Sequence, residues 1–181
     1  MPYSFTLTSR ISASAREIYD AWLTSRGHSE MTGAEARMSD ALGAEVSAWN
    51  GYISGRNLDL VPPVRIVQSW RTTKFTDQHE DSIITVTLEE AADGTLLTLV
   101  HSNVPDDHRS YEEGGWQSNY FTPMQEYFGA SRRKHAAKRA SSKRKTSRSG
   151  TKPKGRRAKV ARRKRAKCQI AQRKPVRRSR R

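Results

Sequence analysis

Residues 47–71, SAWNGYISGRNLDLVPPVRIVQSWR, constrain the fold more than any other part of the chain, because they contain its strongest turn signal. Asn50-Gly51 is the dipeptide most typical of a two-residue type I′ turn, in which both central residues have a positive φ. The register that such a turn imposes opposes Trp49 with Tyr52, Ala48 with Ile53 and Glu45 with Arg56. We therefore predict an antiparallel hairpin at this point.

A third strand follows the hairpin. Pro62-Pro63 marks the next turn, because proline fixes φ and donates no ladder hydrogen bond. Alternation then gives two faces, with Ile66, Gln68 and Trp70 on one and Val67, Ser69 and Arg71 on the other. Ile53 and Leu58 have opposite parity, so an inward position for both requires a β-bulge, which we predict at Gly55.

Further strands are predicted wherever apolar and polar residues alternate. The alternating segments cover residues 5–11, 84–88 and 97–101, and a short strand is placed around residues 36–38 in the loop 34–44. A turn at Ala92-Asp93-Gly94 joins the last two of the long segments. With the three strands of the central segment, the chain has six or seven strands.

Three helices complete the prediction. Ser14 and Glu17 form a capping-box pattern at the start of the first, and the second covers residues 25–31 and ends at Gly33. The third runs from about residue 109 to about residue 130, with Asp106 or Asp107 as its cap and Pro123 expected to kink it. Its apolar stripe has helical spacing: Trp116, Tyr120, Met124 and Phe128. This order of elements indicates an α+β fold, in which an antiparallel sheet carries helices on one face.

Charge divides the chain into two parts. From Arg132 to Arg181 there are 25 Lys and Arg residues and no Asp or Glu, whereas the preceding residues have 9 basic and all 18 acidic residues. The net charge of the first part is −9, although that of the whole chain is +16. We predict a folded domain over residues 1–130 and a Lys/Arg-rich tail over residues 131–181. The tail has too little apolar surface to offset the entropy of ordering, so it is expected to be disordered alone.

The tail predicts a polyanionic partner, because its closely spaced positive charges repel one another unless they are neutralised. It has no aromatic residue for stacking on bases, so binding to DNA or RNA is expected to be driven by phosphates and not by sequence. An anionic membrane surface is the alternative partner. The predicted nucleic-acid-binding residues are Lys152, Lys154, Arg156, Arg157, Lys159, Arg162, Arg163, Lys164, Arg165 and Lys167.

Several classes of protein are excluded by what the sequence lacks. It has no apolar run of the ~20 residues needed for a transmembrane segment and no secretion signal, and its single cysteine, Cys168, fits a reducing compartment. We therefore expect a cytoplasmic protein that associates with the nucleoid through its tail. The sequence has no nucleophile motif, phosphate loop, dinucleotide fingerprint or ligand spacing among its histidines, so no catalytic residue, cofactor or metal is predicted.

Five segments together resemble a known family: ISASAREIYDAW, SAWNGYISGRNLDL, RIVQSWR, LTLVHSNVPDD and GGWQSNYFTPMQEYF. They are similar, in the same order, to bacterial proteins related to the C-terminal domain of the activator of the heat-shock-protein-90 ATPase (AHSA1-type). That family belongs to the START-like, helix-grip superfamily, SRPBCC. The resemblance covers residues 3–129. It implies a curved antiparallel sheet that grips a long C-terminal helix, with an apolar cavity between them, and it carries over no reaction.

These observations support a non-enzymatic START-like domain that binds an apolar small molecule and carries a nucleic-acid-binding tail. The predicted cavity residues are Trp22, Trp70, His101, Trp116 and Tyr120, since Trp and Tyr combine apolar area with a polar tip. Ordinary packing of a helix on a sheet would also produce the apolar stripe of the third helix. Two other functions remain: a chaperone-associated protein-binding module, and a cavity enzyme of the cyclase or hydrolase type that uses His101.

Overall fold

The computed structural model describes residues 1–133, and these contain six strands and two short helices before a long helical region. The elements are β1 (Tyr3–Ile11), α1 (Ala15–Leu23), α2 (Ser25–Thr32), β2 (Glu45–Ala48), β3 (Ile53–Val61), β4 (Arg65–Thr72), β5 (Ser82–Ala91) and β6 (Gly94–Val104). A 3₁₀ turn at Asp106–His108 leads into the last helical region, α3, which covers residues 110–133. No helix in this part of the chain is long and apolar enough to cross a membrane.

Within residues 1–133 the strands form one antiparallel sheet in the order β1-β6-β5-β4-β3-β2. Its inner face is buried against the helices, and the strand parities agree with the sequence pattern. The buried residues of β4, β5 and β6 include Ile66, Gln68 and Trp70, then Ile84, Val86 and Leu88, then Leu97, Leu99 and His101. The predicted α+β fold, a curved antiparallel sheet that grips a C-terminal helix, is confirmed.

The predicted hairpin is confirmed, with an additional distortion. Ala48 pairs with Ile53 and Glu45 with Arg56, and the Tyr52 N–H donates to the Trp49 carbonyl over 3.0 Å. Asn50 and Gly51 have the positive φ values of 56° and 81° that a type I′ turn needs. Trp49 also has a positive φ, 55°, which the sequence did not predict.

The predicted bulge at Gly55 is wrong. Gly55 pairs regularly with Val46, and the register of β3 against β4 shifts between Asn57 and Asp59. Leu58 lies at that irregularity and is 44% exposed, so it does not need an inward position. The glycine serves close approach instead, because a Cβ at residue 55 would overlap the Ser69 carbonyl oxygen.

The helix starts agree with the sequence except at α3. Ser14 and Glu17 form both halves of the capping box, and Gly33 ends α2 in the left-handed conformation. The predicted third helix is present over residues 110–133, but it contains two π-helical turns that the sequence did not predict, Tyr111–Gly115 and Gln117–Phe121. Gly114 has non-helical angles within the first turn, and Pro123, which has no N–H to donate, follows the second. Asp106 and Asp107 do not cap it; their carboxylates accept from Arg109 and His108.

Candidate ligand cavity

A cavity of about 200 Å³ lies between the β2–β3 turn, the end of β4 and the first half of α3. Six aromatic side chains dominate its wall, and the residues that line it have no charged group. The lining consists of Trp49, Tyr52, Ile53, Trp70, Thr72, Tyr111, Gly115, Trp116, Asn119 and Tyr120. Such a wall suits an apolar molecule with π-electrons better than it suits an ion.

The aromatic rings of the wall pack against one another as one cluster. The centroids of Trp70 and Trp116 are 4.9 Å apart, and those of Trp116 and Tyr120 are 4.7 Å apart. These separations lie within the range of about 4.5–7 Å that is typical of interacting aromatic pairs. The cluster therefore gives the cavity a rigid floor, while Trp49, Tyr52 and Tyr111 stand at its partly exposed edge.

Two unusual backbone segments place side chains at the cavity. Trp49 has a left-handed φ of 55°, which is rare for a bulky residue and is typical of positions where local strain serves a site. In α3 the two π-helical turns contribute Tyr111 and Tyr120, and Trp116 lies between the turns. Such turns inside helices often lie at functional sites. Gly115 is required there, because a Cβ would lie 2.8 Å from the Ser110 carbonyl oxygen.

The polar groups of the wall are all neutral: Tyr and Thr hydroxyls, Trp indoles and the Asn119 amide. The Tyr111 and Thr72 oxygens are 2.9 Å apart, and burial raises the pKa of the Tyr111 hydroxyl. Burial also raises the pKa of the Tyr120 hydroxyl, and the nearby Trp49 indole offsets part of that rise without meeting hydrogen-bond geometry. Among the described residues the Nε1 atoms of Trp49 and Trp70 are buried without a hydrogen-bond partner. Since these two donors are sealed from the cavity, they do not serve a ligand held in it.

His101 lies behind the cavity wall, at the centre of a closed hydrogen-bond chain. Trp116 Nε1 donates to His101 Nδ1 over 3.1 Å, so the neutral ring carries its proton on Nε2. That atom is 2.9 Å from Ser82 Oγ, which donates to the Trp70 carbonyl over 2.7 Å. Burial lowers the pKa of His101 to about 3. Both ring nitrogens are thus engaged, and the ring is uncharged at neutral pH.

Trp22 also lies behind the wall, in a second buried polar chain. Its Nε1 donates to Gln68 Oε1 over 3.1 Å, and Gln68 Nε2 donates to Asn57 Oδ1 over 2.8 Å. Asn57 Nδ2 donates in turn to the carbonyls of Ser39 and Ala41. These hydrogen bonds connect α1 to β3, β4 and the loop before β2. Trp22 therefore stabilises the elements around the cavity but does not line it.

The structure brings three of the five predicted cavity residues to the cavity: Trp70, Trp116 and Tyr120 line it. Trp22 and His101 are 1% and 0% exposed and do not line it. Sequence reasoning missed Trp49, Tyr52 and Tyr111. The turn prediction already paired Trp49 with Tyr52, so a signal for these two existed, whereas no pattern indicated Tyr111.

Two further predictions concern other residues. The ten basic residues predicted to bind nucleic acid, from Lys152 to Lys167, lie outside the described residues. The sequence predicted no metal ligands, but the fold brings His79, Asp107 and His108 together at one end of the sheet.

Comparisons with known proteins agree on one family. The model of the family described as activator of Hsp90 ATPase homolog 1-like protein (AHSA1) matches residues 12–129. Over 128 residues the chain is 28% identical to human "Activator of 90 kDa heat shock protein ATPase homolog 1", and over 130 residues it is 26% identical to the homologue from Dictyostelium discoideum. The chain spans only 38% and 33% of the lengths of these two relatives.

Solved structures share the fold. An HSP90 activator from Plasmodium falciparum superposes with a TM-score of 0.62 at 20% identity, covering 70% of this chain and 96% of that one. CalU16 from Micromonospora echinospora gives a TM-score of 0.59 at 21% identity, covering 78% of this chain and 85% of that one.

Proposed function

Because the chain belongs to the family of activator of Hsp90 ATPase homolog 1-like proteins, we propose that it is a non-enzymatic START-like binding domain whose cavity holds a small, flat, apolar ligand. The observation that carries this proposal is the wall of six aromatic side chains around a cavity of about 200 Å³. An apolar cavity of similar size, ~150 Å³, is known to take up benzene. The volume therefore suits a ligand of one or two rings better than a long fatty acid.

The proposed lack of a catalytic role is supported by the state of His101, the residue of the cavity-enzyme hypothesis. A general base must reach the proton that it removes, and its pKa works best near the operating pH. His101 has both nitrogens engaged and a pKa lowered to about 3, and it does not line the cavity. These features support binding without chemistry.

Isothermal titration calorimetry with one-ring and two-ring probes tests this proposal. We expect p-cresol and 2-naphthol to bind saturably and palmitate to bind more weakly than either. Tetramethylammonium is included because aromatic walls also hold quaternary ammonium ions by cation–π attraction. If the ammonium ion binds and the neutral aromatic probes do not, the ligand is a cation and the proposed ligand class is wrong.

A pair of neighbouring α3 residues provides matched variants. Asn119 lines the cavity and Ser118 does not, but both are exposed and both donate to a carbonyl four residues earlier in α3. Asn119→Trp should obstruct the cavity and weaken 2-naphthol binding by about tenfold or more, equal to at least ~1.4 kcal/mol. Ser118→Trp should bind like the wild type. Equal affinities in the two variants would place the probe elsewhere on the protein.

The proposed domain acts together with a tail that binds nucleic acid without sequence preference. The support for this part is the charge of the chain, since 25 of the 34 basic residues follow residue 131 and no acidic residue does. Phosphate contacts from Lys and Arg supply most of the affinity of non-specific binding.

A second candidate function is a contact with a chaperone ATPase of the Hsp90 type. It is favoured by the names of the human relative and of the P. falciparum protein. The match covers 96% of the P. falciparum chain, but only 38% of the human protein. The test measures the ATPase rate of the Hsp90-type chaperone from the same organism with and without the full-length protein. A raised rate that is equal in wild type and Asn119→Trp would assign the activity to a surface independent of the cavity. An unchanged rate would contradict this candidate.

A further inference from the structure

Three side chains of metal-binding type meet at the end of the sheet where β4 ends and β5 begins, which is also the end that carries the β2–β3 turn. His79 lies in the loop between β4 and β5, and Asp107 and His108 lie in the 3₁₀ turn before α3. One nitrogen or carboxylate oxygen from each lies within 4.8 Å of the others. The rings of His79 and His108 are 5.8 Å apart and perpendicular, so they approach the same volume from two directions.

The surrounding residues hold these three side chains in place. Arg71 donates to the carbonyls of His79 and Thr76 over 2.9 Å each, which fixes the loop that carries His79. The Phe75 ring packs edge-on against both histidine rings, at 5.8 Å and 4.9 Å. His108 Nδ1 is 2.7 Å from Asp107 Oδ1, and this contact orients the mostly buried imidazole. Arg71 and Phe75 therefore position the loop that carries His79 before any ion binds, whereas the contact between Asp107 and His108 is exchanged for bonds to the ion.

We propose that His79, Asp107 and His108 form a binding site for Zn²⁺ or a similar divalent transition-metal ion. Tetrahedral zinc with bonds of ~2.1 Å requires ligand atoms about 3.4 Å apart. The present separations of up to 4.8 Å close to that value by rotation of the side chains of Asp107, which is 66% exposed, and of the partly exposed His79. Two imidazoles with one carboxylate select zinc over calcium and magnesium, which prefer oxygen ligands throughout.

An ion in this site would be accessible to solvent and would stabilise the fold. Three protein ligands leave a fourth position for water, and His79 and Asp107 face a groove that also contains Glu80 and Asp106. An ion held there joins the β4–β5 loop to the turn that begins α3, two segments far apart in sequence. Metal binding should therefore raise the thermal stability of the protein.

The experiment titrates Zn²⁺ by calorimetry, and Co²⁺ by visible absorption, into metal-free full-length protein. Cys168→Ser/His135→Gln serves as the background, since it removes donors of the tail that would compete. We expect one ion per chain. His79→Gln and Asp107→Asn should each lower the affinity by about tenfold or more. Glu80 is next to His79 in the sequence, and Glu80→Gln removes one negative charge, as Asp107→Asn does. The affinity of this variant for the ion should stay within about twofold of the background value.

Each result of this experiment supports the three-residue site or overturns it. The melting temperatures of the metal-free variants are compared with that of the background. If they are equal, His79→Gln and Asp107→Asn act on binding of the ion and not on folding. If the background protein takes up no Co²⁺ in large molar excess, or if Glu80→Gln weakens binding as much as the two ligand variants, the proposed site is wrong. Uptake that is lost with the tail donors alone would assign the ion to the tail.

Discussion

His28 and His101 show at the scale of single residues how the core uses neutral polar side chains. Both are almost fully buried, at 1% and 0% exposure, and each has hydrogen-bond partners for its nitrogens. His28 Nδ1 lies 2.9 Å from the Trp22 carbonyl, so Nδ1 carries the proton and donates it. Burial lowers the pKa of His28 to about 4 and that of His101 to about 3.

These lowered pKa values predict a loss of stability in mild acid. In the unfolded chain a histidine has a pKa of about 6.5, so between pH 6 and 5 the unfolded state binds protons that the folded state does not. Stability is therefore full above about pH 6.5 and falls as the pH decreases towards the folded values. Each histidine contributes a slope of about 1.4 kcal/mol per pH unit near pH 5.

The measurement is the free energy of unfolding in urea at pH 7.5, 6, 5.5 and 5. A His101→Gln variant should lose about half of the slope that the two histidines produce, whatever its stability at pH 7.5. A variant that keeps the full slope would contradict the assignment of His101 as a buried neutral ring.

Gly51 gives a second prediction at the residue scale, because its requirement is for backbone conformation and not for space. Its φ is 81°, and a Cβ there would meet no atom within 4 Å. Gly51→Val should destabilise the domain by about 1–2 kcal/mol, since a β-branched residue resists positive φ. Gly51→Asn should lower the stability less, because asparagine tolerates a positive φ. Urea unfolding of both variants checks this, and equal stabilities would mean that backbone conformation is not the cause.

At the scale of elements, α3 shows how one helix combines a regular half with an irregular one. Residues 122–133 are α-helical, whereas the two π-helical turns lie before them and supply much of the cavity wall. Met124 and Phe128 of the regular half are buried, with 0% and 6% exposure. The regular half thus anchors α3 on the sheet, and the irregular half shapes the cavity.

Two glycines of α3 should therefore respond oppositely to alanine. Gly115→Ala forces a Cβ to within 2.8 Å of the Ser110 carbonyl oxygen, so we expect a loss of about 1–3 kcal/mol and weaker binding of 2-naphthol. Gly129→Ala lies in the regular half, where the nearest atom is the flexible end of Arg133 at 3.7 Å, and should gain about 0.5–1 kcal/mol. Thermal unfolding of the two variants measures both effects. A stabilised Gly115→Ala protein would show that the π-helical turn does not depend on this glycine.

Features that depend on a few neighbouring residues could be predicted from the sequence. The Ser14 capping box, the Gly33 helix end and the strand faces are local, because period and cap chemistry need no distant partner. The position of the β3 bulge was not predictable in this way, because it depends on how β3 lies against β4. The cavity was only partly predictable for the same reason, since Tyr111 reaches it through a π-helical turn that no sequence period describes.

At the scale of the whole molecule, the charges of the chain are separated along its length. The described domain ends in a helix that carries Arg132, whose Nη1 donates to the Asp93 carbonyl over 3.0 Å. A chain ended after Arg133 keeps all 18 acidic residues and 11 of the 34 basic ones, a net charge of −7, whereas the full chain has +16. We therefore expect the attraction to a polyanion to come from residues after 133.

This separation predicts a steep salt dependence for binding to nucleic acid. If the residues after 133 neutralise about 6–10 phosphates, the affinity should fall by about 10³–10⁵-fold between 50 and 200 mM salt. Fluorescence anisotropy with labelled DNA and RNA of unrelated sequences measures this for the full chain and for the chain ended after Arg133. The full chain should bind all of them similarly at low salt, and the shortened chain should bind none. Binding by the shortened chain, or binding that is insensitive to salt, would contradict the proposal. Stronger binding to anionic lipid vesicles in the same salt series would make a membrane surface the partner instead.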